Sequence, residues 1–320
     1  MNPRIEQPRR IKRRISGVLL LDKPSRISSN QALQIAKRIF TADKAGHTGT
    51  LDPLATGLLP ICFGEATKFS SALLGADKTY EATLRLGYIS TTGDAEGEIS
   101  ATGNMQFQGL KLAMTQIEAI LQSFTGVITQ IPPMYSALKH RGKPLYAYAR
   151  GGMEVERQPR EVIIHELRIE ALAGVEMRIV VKCSTGTYVR TLAEDIGKAL
   201  GCGGAYLTAL RRSILENFDL SQTYTLDALE AMPLAQRDSC LRPADSLLHE
   251  LPAVTVNSAA VVSLLQGRVV ENCFSSDRPN NSAGLMEGEK IRLYDQGQHF
   301  LGLGEITAQG EIAPKRLMVR

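Results

Sequence analysis

The chain has 320 residues, 43% hydrophobic and 22% charged, enough for one large domain and a small one with packed cores. It contains no run of about 18 apolar residues, which excludes a membrane-spanning helix, and Gly17-Val18-Leu19-Leu20-Leu21 stops at Asp22 and Lys23, too soon for a signal peptide. The formal net charge of +4 is uneven: residues 1–15 carry +5 and the remainder −1, so global charge does not by itself carry nucleic-acid binding. The expected location is the cytoplasm.

After the basic arm, Gly17–Leu21 reads as a strand, Lys23-Pro24-Ser25 as a turn, and Ser28 with Gln31 as the capping box of a helix. Leu33, Ala36 and Phe40, flanked by Ile35 and Ile39, give that helix its buried stripe. Gly46–Gly57 holds too many Gly, Thr and Pro for a regular element and is expected to be a structured loop. In 79–86, Tyr80, Ala82, Leu84 and Leu86 alternate with polar residues, as a half-buried antiparallel strand requires.

A helix is expected over Gln116–Phe124, with Thr115 and Glu118 as its capping box. Two strands follow, one with Ile163, His165, Leu167 and Ile169 on one face and one with Met177, Ile179, Val181 and Cys183. A helix over Tyr188–Leu200 ends at the glycine stop Gly201-Cys202-Gly203-Gly204. Asp227–Glu250 reads as helix and then connection. From Pro252 the texture becomes β-rich: a short helix over Ser258–Gln266, a polar loop over Ser275–Ser282, then Ile291–Tyr294 and Phe300–Ile306 as a hairpin around Gly297. Without a strict βαβ alternation, the pattern is α+β with a mainly antiparallel, mixed sheet.

Five scattered cysteines without a CxxC pair give neither a disulfide framework nor a cysteine-rich zinc site, so reduced thiols and no structural metal are expected. No glycine-rich nucleotide cradle opens a helix. The segment from Lys139 to Arg160 carries +4 and includes Tyr146 and Tyr148, a mixture that suits phosphate tracking, although such clusters are more often merely solvated.

Asp52 stands between Leu51 and Pro53 with glycines on both sides. A carboxylate held there can act as a nucleophile at a sugar or base carbon, while the pattern alone favours a plain turn aspartate before proline.

Five ordered segments change that weighting. They are GVLLLDKP at Gly17–Pro24, AGHTGTLDPLATGLLP at Ala45–Pro60, KTYEATLRLG at Lys78–Gly87, IPPMYSALK at Ile131–Lys139 and GTYVRTLAEDIG at Gly186–Gly197. Together they resemble the TruB-type tRNA pseudouridine-55 synthases over most of Ile15–Arg212. The resemblance implies an α+β pseudouridine synthase domain over 16–250, preceded by a basic extension over 1–15 and followed by a β-rich, PUA-like RNA-binding domain over 251–320.

It also implies cofactor-independent isomerisation of a uridine in the T loop of tRNA, with Asp52 as the nucleophile at ribose C1′ or base C6. Arg190 falls on the arginine that pairs with this aspartate; spacing alone would equally pair it with Glu194. Tyr80 falls on the tyrosine that stacks on the target base and aids proton removal from C5, where position alone would make it a core residue. Tyr188 and Leu210 match residues against the uracil, and His47 would occupy the space that the flipped uridine leaves. Lys23 and Pro24 are expected to buttress the active-site loop.

The segment from Lys139 to Arg160 is then expected to order on tRNA, and the basic arm to add salt-sensitive affinity. The expected partner is the tRNA T stem-loop, bound by a monomer with no membrane, guide RNA or protein partner. Two rivals stay open: a non-catalytic RNA-binding protein of the same fold, and the catalytic subunit of an RNA-guided complex.

Overall fold

The computed structural model describes residues 11–103, 113–271 and 286–318. The first ten residues of the basic arm and the polar loop expected over Ser275–Ser282, with Cys273, lie outside the described residues.

Apolar runs that do not alternate mark strands covered on both sides, and two such strands lie at the heart of the molecule. They are β1 (Gly17–Lys23) and β3 (Thr56–Phe63), paired antiparallel from Gly17↔Phe63 to Lys23↔Gly57. Leu19, Leu21, Leu59, Ile61 and Phe63 enter the larger core, while Val18, Leu20, Leu58 and Cys62 enter a second core on the opposite face. Between them the chain forms α1 (Ser29–Ile39), with the expected Ser28–Gln31 capping box, and the short strand β2 (Ala45–His47). The Gly46–Gly57 segment is therefore not wholly irregular: its first two residues belong to β2 and its last two to β3.

β4 (Lys78–Leu86) buries Tyr80, Ala82, Leu84 and Leu86, as the alternation predicts. A small hairpin of β5 (Tyr88–Ser90) and β6 (Ile99–Ala101) follows, then α2 (Met114–Gln122). α2 starts two residues before the expected Gln116. Thr115 and Glu118 do not form its capping box; instead Gln116 Oε1 accepts from the Ala113 N–H at 3.0 Å, because the apolar pair Ile117 and Leu121 fixes which face turns inward.

Next come β7 (Gly126–Gln130), a tight hairpin of β8 (Lys139–His140) and β9 (Lys143–Pro144), α3 (Leu145–Ala149), β10 (Arg160–Ala173) and β11 (Glu176–Cys183). The inward face expected of β10 is corrected. A register shift against β11 between Ile164 and Glu166 inserts His165 as an extra residue, so Val162 and Ile164 are buried before it and Leu167 after it, while Ile163 and His165 face out. β11 keeps its predicted face, with Met177, Ile179, Val181 and Cys183 all buried.

α4 (Val189–Ala199) ends where Gly201 takes a φ of +76°, the glycine stop read from the sequence. It leads into β12 (Ala205–Leu215), β13 (Phe218–Asp219), β14 (Tyr224–Thr225), α5 (Leu226–Ala231) and α6 (Leu234–Arg237). Among the described residues these strands make one ten-stranded sheet in the order β14-β1-β3-β12-β4-β11-β10-β7, with β2 beside β3 and β13 beside β12. Two pairs, β1 with β14 and β3 with β12, are parallel and the rest antiparallel. α1, α2 and α4 cover one face through Leu33, Ile117 and Leu192, among others.

A separate four-stranded sheet closes the chain: β15 (Ala253–Thr255), β16 (Lys290–Tyr294), β17 (Phe300–Ile306) and β18 (Ile312–Leu317), with α7 (Ser258–Leu265) against it. β16 and β17 form the expected hairpin; β15 and β18 have too few apolar positions to stand out in sequence. This sheet has its own core around Val254, Leu293 and Ile312. It docks on the second core of the large sheet, where Phe300 meets Phe69 with ring centroids 5.4 Å apart and Lys68 Nζ donates to Leu317 O at 2.8 Å.

The seat of α4 on β12 depends on Gly197. A Cβ there would lie 2.2 Å from Gly204 C and 2.4 Å from Ala205 N. Alanine in a helix interior is ordinarily about 1 kcal/mol better than glycine. Gly197→Ala is expected to destabilise the protein by about 2 kcal/mol or more in urea unfolding, since the backbone must move to admit the methyl group. A neutral or stabilised variant would show that the close approach does not hold.

Candidate active site

The loop bearing Asp52 is fastened at three residues around it. The Ser29 hydroxyl, at the start of α1, accepts from the Leu51 N–H and donates to the Leu51 carbonyl, both at 2.8 Å. Arg212 donates from Nη2 to Gly49 O at 2.8 Å, and the Arg26 N–H donates to Pro53 O at 2.8 Å. Lys23 is fully buried, and its ammonium donates to the carbonyls of Pro24, Ile27 and Pro53 at 2.8, 2.6 and 3.3 Å. Its side chain thus ties β1, the approach to α1 and the Asp52 loop together. Burial pushes the Lys23 amine down to about 8, with Asp52 opposing that fall.

Arg190 stands in the first turn of α4 and is 6% exposed. Its Nη2 lies 3.0 Å from Asp52 Oδ2 and donates to Tyr135 O at 2.8 Å, while Nη1 donates to Thr92 O at 2.8 Å. Its Nε lies 3.9 Å from the buried Asp94 carboxylate. The alternative pairing with Glu194 is ruled out by geometry, because Glu194 instead meets Lys198 at 2.6 Å and Arg190 turns inward. Burial pushes the Asp52 carboxyl above the usual carboxylate range; Arg190 opposes that rise most strongly, and the Asp94 charge adds to it.

Asp52 and Arg190 share a cavity of about 190 Å³ with Thr50, Leu51, Tyr80, Ser136, Ala137, Thr187, Tyr188, Val189 and Leu210. That volume is below the roughly 300–1,000 Å³ typical of sites for larger ligands and suits one ring. Tyr80 and Leu210 reach it from neighbouring strands, β4 and β12: Leu210 pairs with Ala82 and Arg212 with Tyr80, after a register shift between Leu207 and Ala209. Burial pushes the Tyr80 phenol up, against the pull of Arg212. Tyr188 caps α4, its backbone gripped by Gln130, whose side chain accepts from the Tyr188 N–H at 3.0 Å and donates to its carbonyl at 3.3 Å. The Arg160 guanidinium sits 4.7 Å over the Tyr188 ring.

Of the residues singled out in the sequence, Asp52, Arg190, Tyr80, Tyr188 and Leu210 line one cavity. His47 and Lys23 are not among its lining residues. His47 pairs with Ile61 in the sheet, its Nδ1 is buried without a partner, and burial with Arg212 lowers its pKa.

Sequence reasoning missed Asp94, Arg212 and Gln130, which have no local signature: each acts on a residue far away in the chain. Glu216, His249 and Glu250 bring one possible metal-ligating atom each within 4.8 Å of one another, but in a cavity that does not include Asp52.

Residues 37–189 match the model of the TruB family pseudouridylate synthase N-terminal domain, 190–249 that of the tRNA pseudouridylate synthase B C-terminal domain, and 252–318 that of pseudouridine synthase II TruB, C-terminal. A tRNA pseudouridine synthase B of Nitrosospira multiformis is 68% identical over 96% of this chain and 96% of its own. The chain belongs to the TruB family of pseudouridylate synthases.

Another relative, tRNA pseudouridine synthase B of Nitrosomonas europaea, is 54% identical over 93% of this chain and 94% of its own. Among solved structures, the archaeal box H/ACA sRNP Nop10-Cbf5 complex matches with a TM-score of 0.67 at 22% identity, covering 94% of this chain and 85% of that one. At that identity the likeness is one of fold, and it agrees with the mixed sheet and separate C-terminal β domain. A TruB-family chain is a pseudouridine synthase, an isomerase that converts uridine to pseudouridine.

Because Asp94 raises the Asp52 carboxyl, Asp94→Asn should move the acidic limb of the activity profile to lower pH. Single-turnover rates across pH measure this. A limb that stays in place or moves up would contradict the electrostatic role of Asp94.

Proposed function

We propose that this chain isomerises the uridine at position 55 in the T loop of tRNA, acting without a cofactor or guide RNA, with Asp52 as the nucleophile on a base turned out of its stack. The observation that carries the reading is the contact of Asp52 with the buried Arg190 at the wall of a ring-sized cavity. Burial raises the carboxyl and the Arg190 guanidinium opposes that rise, favouring the charged form that a nucleophile needs.

The chemistry follows from that anion. The ionised Asp52 oxygen attacks either ribose C1′, with the electron pair of the breaking glycosidic bond passing to N1, or C6 of the base, which loosens the same bond. The freed uracil turns within the cavity and C5 bonds to C1′. The bond from Asp52 to C1′ breaks in that step, or the bond to C6 breaks after it, returning the carboxylate, and N1 takes up a proton to match the one that C5 loses. Tyr80 and Leu210 provide the walls against which a planar ring packs while it is detached. Removal of the C5 proton completes the reaction, with the Tyr80 phenol beside the ring.

A uridine inside the T loop shields both target atoms, so the nucleotide has to leave its stack before Asp52 can reach it. His47, off the cavity lining and with its pKa lowered by burial and by Arg212, is assigned to the space the uridine vacates. Tyr188, held under Arg160, borders the uracil. Lys23 works one layer back, fixing the Asp52 loop through Pro53.

The proposed division is 16–250 for catalysis and 251–320 for additional RNA contact, preceded by the basic extension over 1–15. The long relatives named tRNA pseudouridine synthase B support stand-alone action on tRNA.

With a tRNA transcript carrying tritium at uridine C5, the purified parent should release label and place pseudouridine at position 55. Asp52→Asn should bind the transcript yet release at least about 10³-fold less, the scale of losing a nucleophile. Release by Asp52→Asn at the parent rate would refute the assignment of the nucleophile.

A further inference from the structure

The C-terminal end of α1 carries a group of cations that the chemistry at Asp52 does not use. Residues 11–15 run beside this end. Arg13 forms a parallel bridge with Ala42, its N–H donates to Thr41 O at 2.7 Å, and its carbonyl accepts from the Asp43 N–H at 2.9 Å. Its guanidinium pairs with Asp238. With Arg13 fixed in this way, Lys12 and Arg14 on either side of it remain exposed.

They join Lys37 and Arg38 in the last turn of α1 and Lys44 just beyond it. The acidic groups on the elements packed here are Asp43, Asp238, Glu65 beside the segment that Lys44 and Ser16 hold, and Asp227 and Glu230 on α5; Glu65 is engaged by Lys68 at 2.6 Å. Asp238 is engaged by Arg13, and Glu230 lies 3.8 Å from Arg38. Among the described residues, Lys12, Arg14, Lys37 and Lys44 have no ion-pair partner, leaving four cations against Asp43 and the exposed Asp227.

Complementing the helix dipole accounts for Lys37 and Arg38. It does not account for a separate stretch of chain, pinned by two backbone hydrogen bonds and an ion pair, that brings Lys12 and Arg14 to the same place.

α1 also links this surface to the active site. Ser29, its first residue, holds the Leu51 backbone beside Asp52. Eleven residues at 1.5 Å each set the two ends about 16 Å apart. An RNA that delivers a nucleotide to Asp52 has many backbone phosphates within that reach.

We propose that Lys12, Arg14, Lys37 and Lys44 form a second phosphate-binding surface for the RNA whose target uridine enters the Asp52 cavity, contacting its backbone about one helix length from the reacting base. The inference rests on the RNA-modifying function above. Contacts of this kind position the RNA without reading its sequence.

The test combines Lys12→Gln, Arg14→Gln, Lys37→Gln and Lys44→Gln in the full chain, with tRNA transcript affinity measured by anisotropy across a series of salt concentrations. Each phosphate contact contributes about 0.7–0.9 to the slope of log affinity against log salt, so loss of all four should flatten the slope by about 3. A companion with Lys12→Arg, Lys37→Arg and Lys44→Arg keeps every charge and should retain the parent slope, which separates lost charge from lost folding. An unchanged slope in the glutamine variant, with tRNA bound as tightly as by the parent, overturns the proposal. A parent that itself binds no tRNA overturns instead the reading on which the proposal rests.

Discussion

A guanidinium that is almost wholly buried needs compensation on every side, and in this molecule Arg190 obtains it from parts of the chain that are otherwise unrelated. The carboxylate of Asp52, the carboxylate of Asp94 and the carbonyls of Thr92 and Tyr135 all converge on it. Each comes from a loop with no periodic reason to be there. A charge left unpaired at such a site would be strongly destabilising, so the folding of four segments and the placing of the Asp52 carboxylate are one problem with one solution. The same cation that orders the loops opposes the rise that burial imposes on the Asp52 carboxyl.

The rest of the architecture holds the two partners still. On one side, α4 sits on β12 through a helix glycine and is capped by Tyr188, whose backbone is gripped by Gln130. On the other, the Asp52 loop is fastened at Gly49, Leu51 and Pro53 by Arg212, Ser29 and Arg26, with Lys23 beneath. β1 and β3, apolar on both faces, place the second core behind the larger one. The C-terminal sheet docks on that second core, so its attachment does not disturb the cavity.

Much of this was legible in the sequence where the signal is local. Alternation in β4 and β11 marked their inner faces, and Ser28 with Gln31 marked the start of α1. The crowding of glycine and proline around Asp52 marked a loop of functional interest, and the resemblance supplied its chemistry. Sequence failed where the deciding contact is distant or where a strand breaks its own period. His165 is an extra residue in β10, and nothing in the composition of Ile164-His165-Glu166 marks a bulge. Asp94, Arg212 and Gln130 matter because of what the fold brings to them. Arg190 had a near partner at helical spacing, Glu194, and a distant one implied by the resemblance, Asp52, and three-dimensional packing chose the distant one.

The most direct test of this account is a ¹³C NMR titration of the Asp52 carboxyl in the RNA-free protein and in Arg190→Met. The account predicts a carboxyl that titrates above the ordinary range in the parent, because burial outweighs its cations, and higher still once Arg190 is gone. A carboxyl whose titration is unaffected by the loss of Arg190 would contradict it, since Asp52 would then owe its charge and position to something other than that pair.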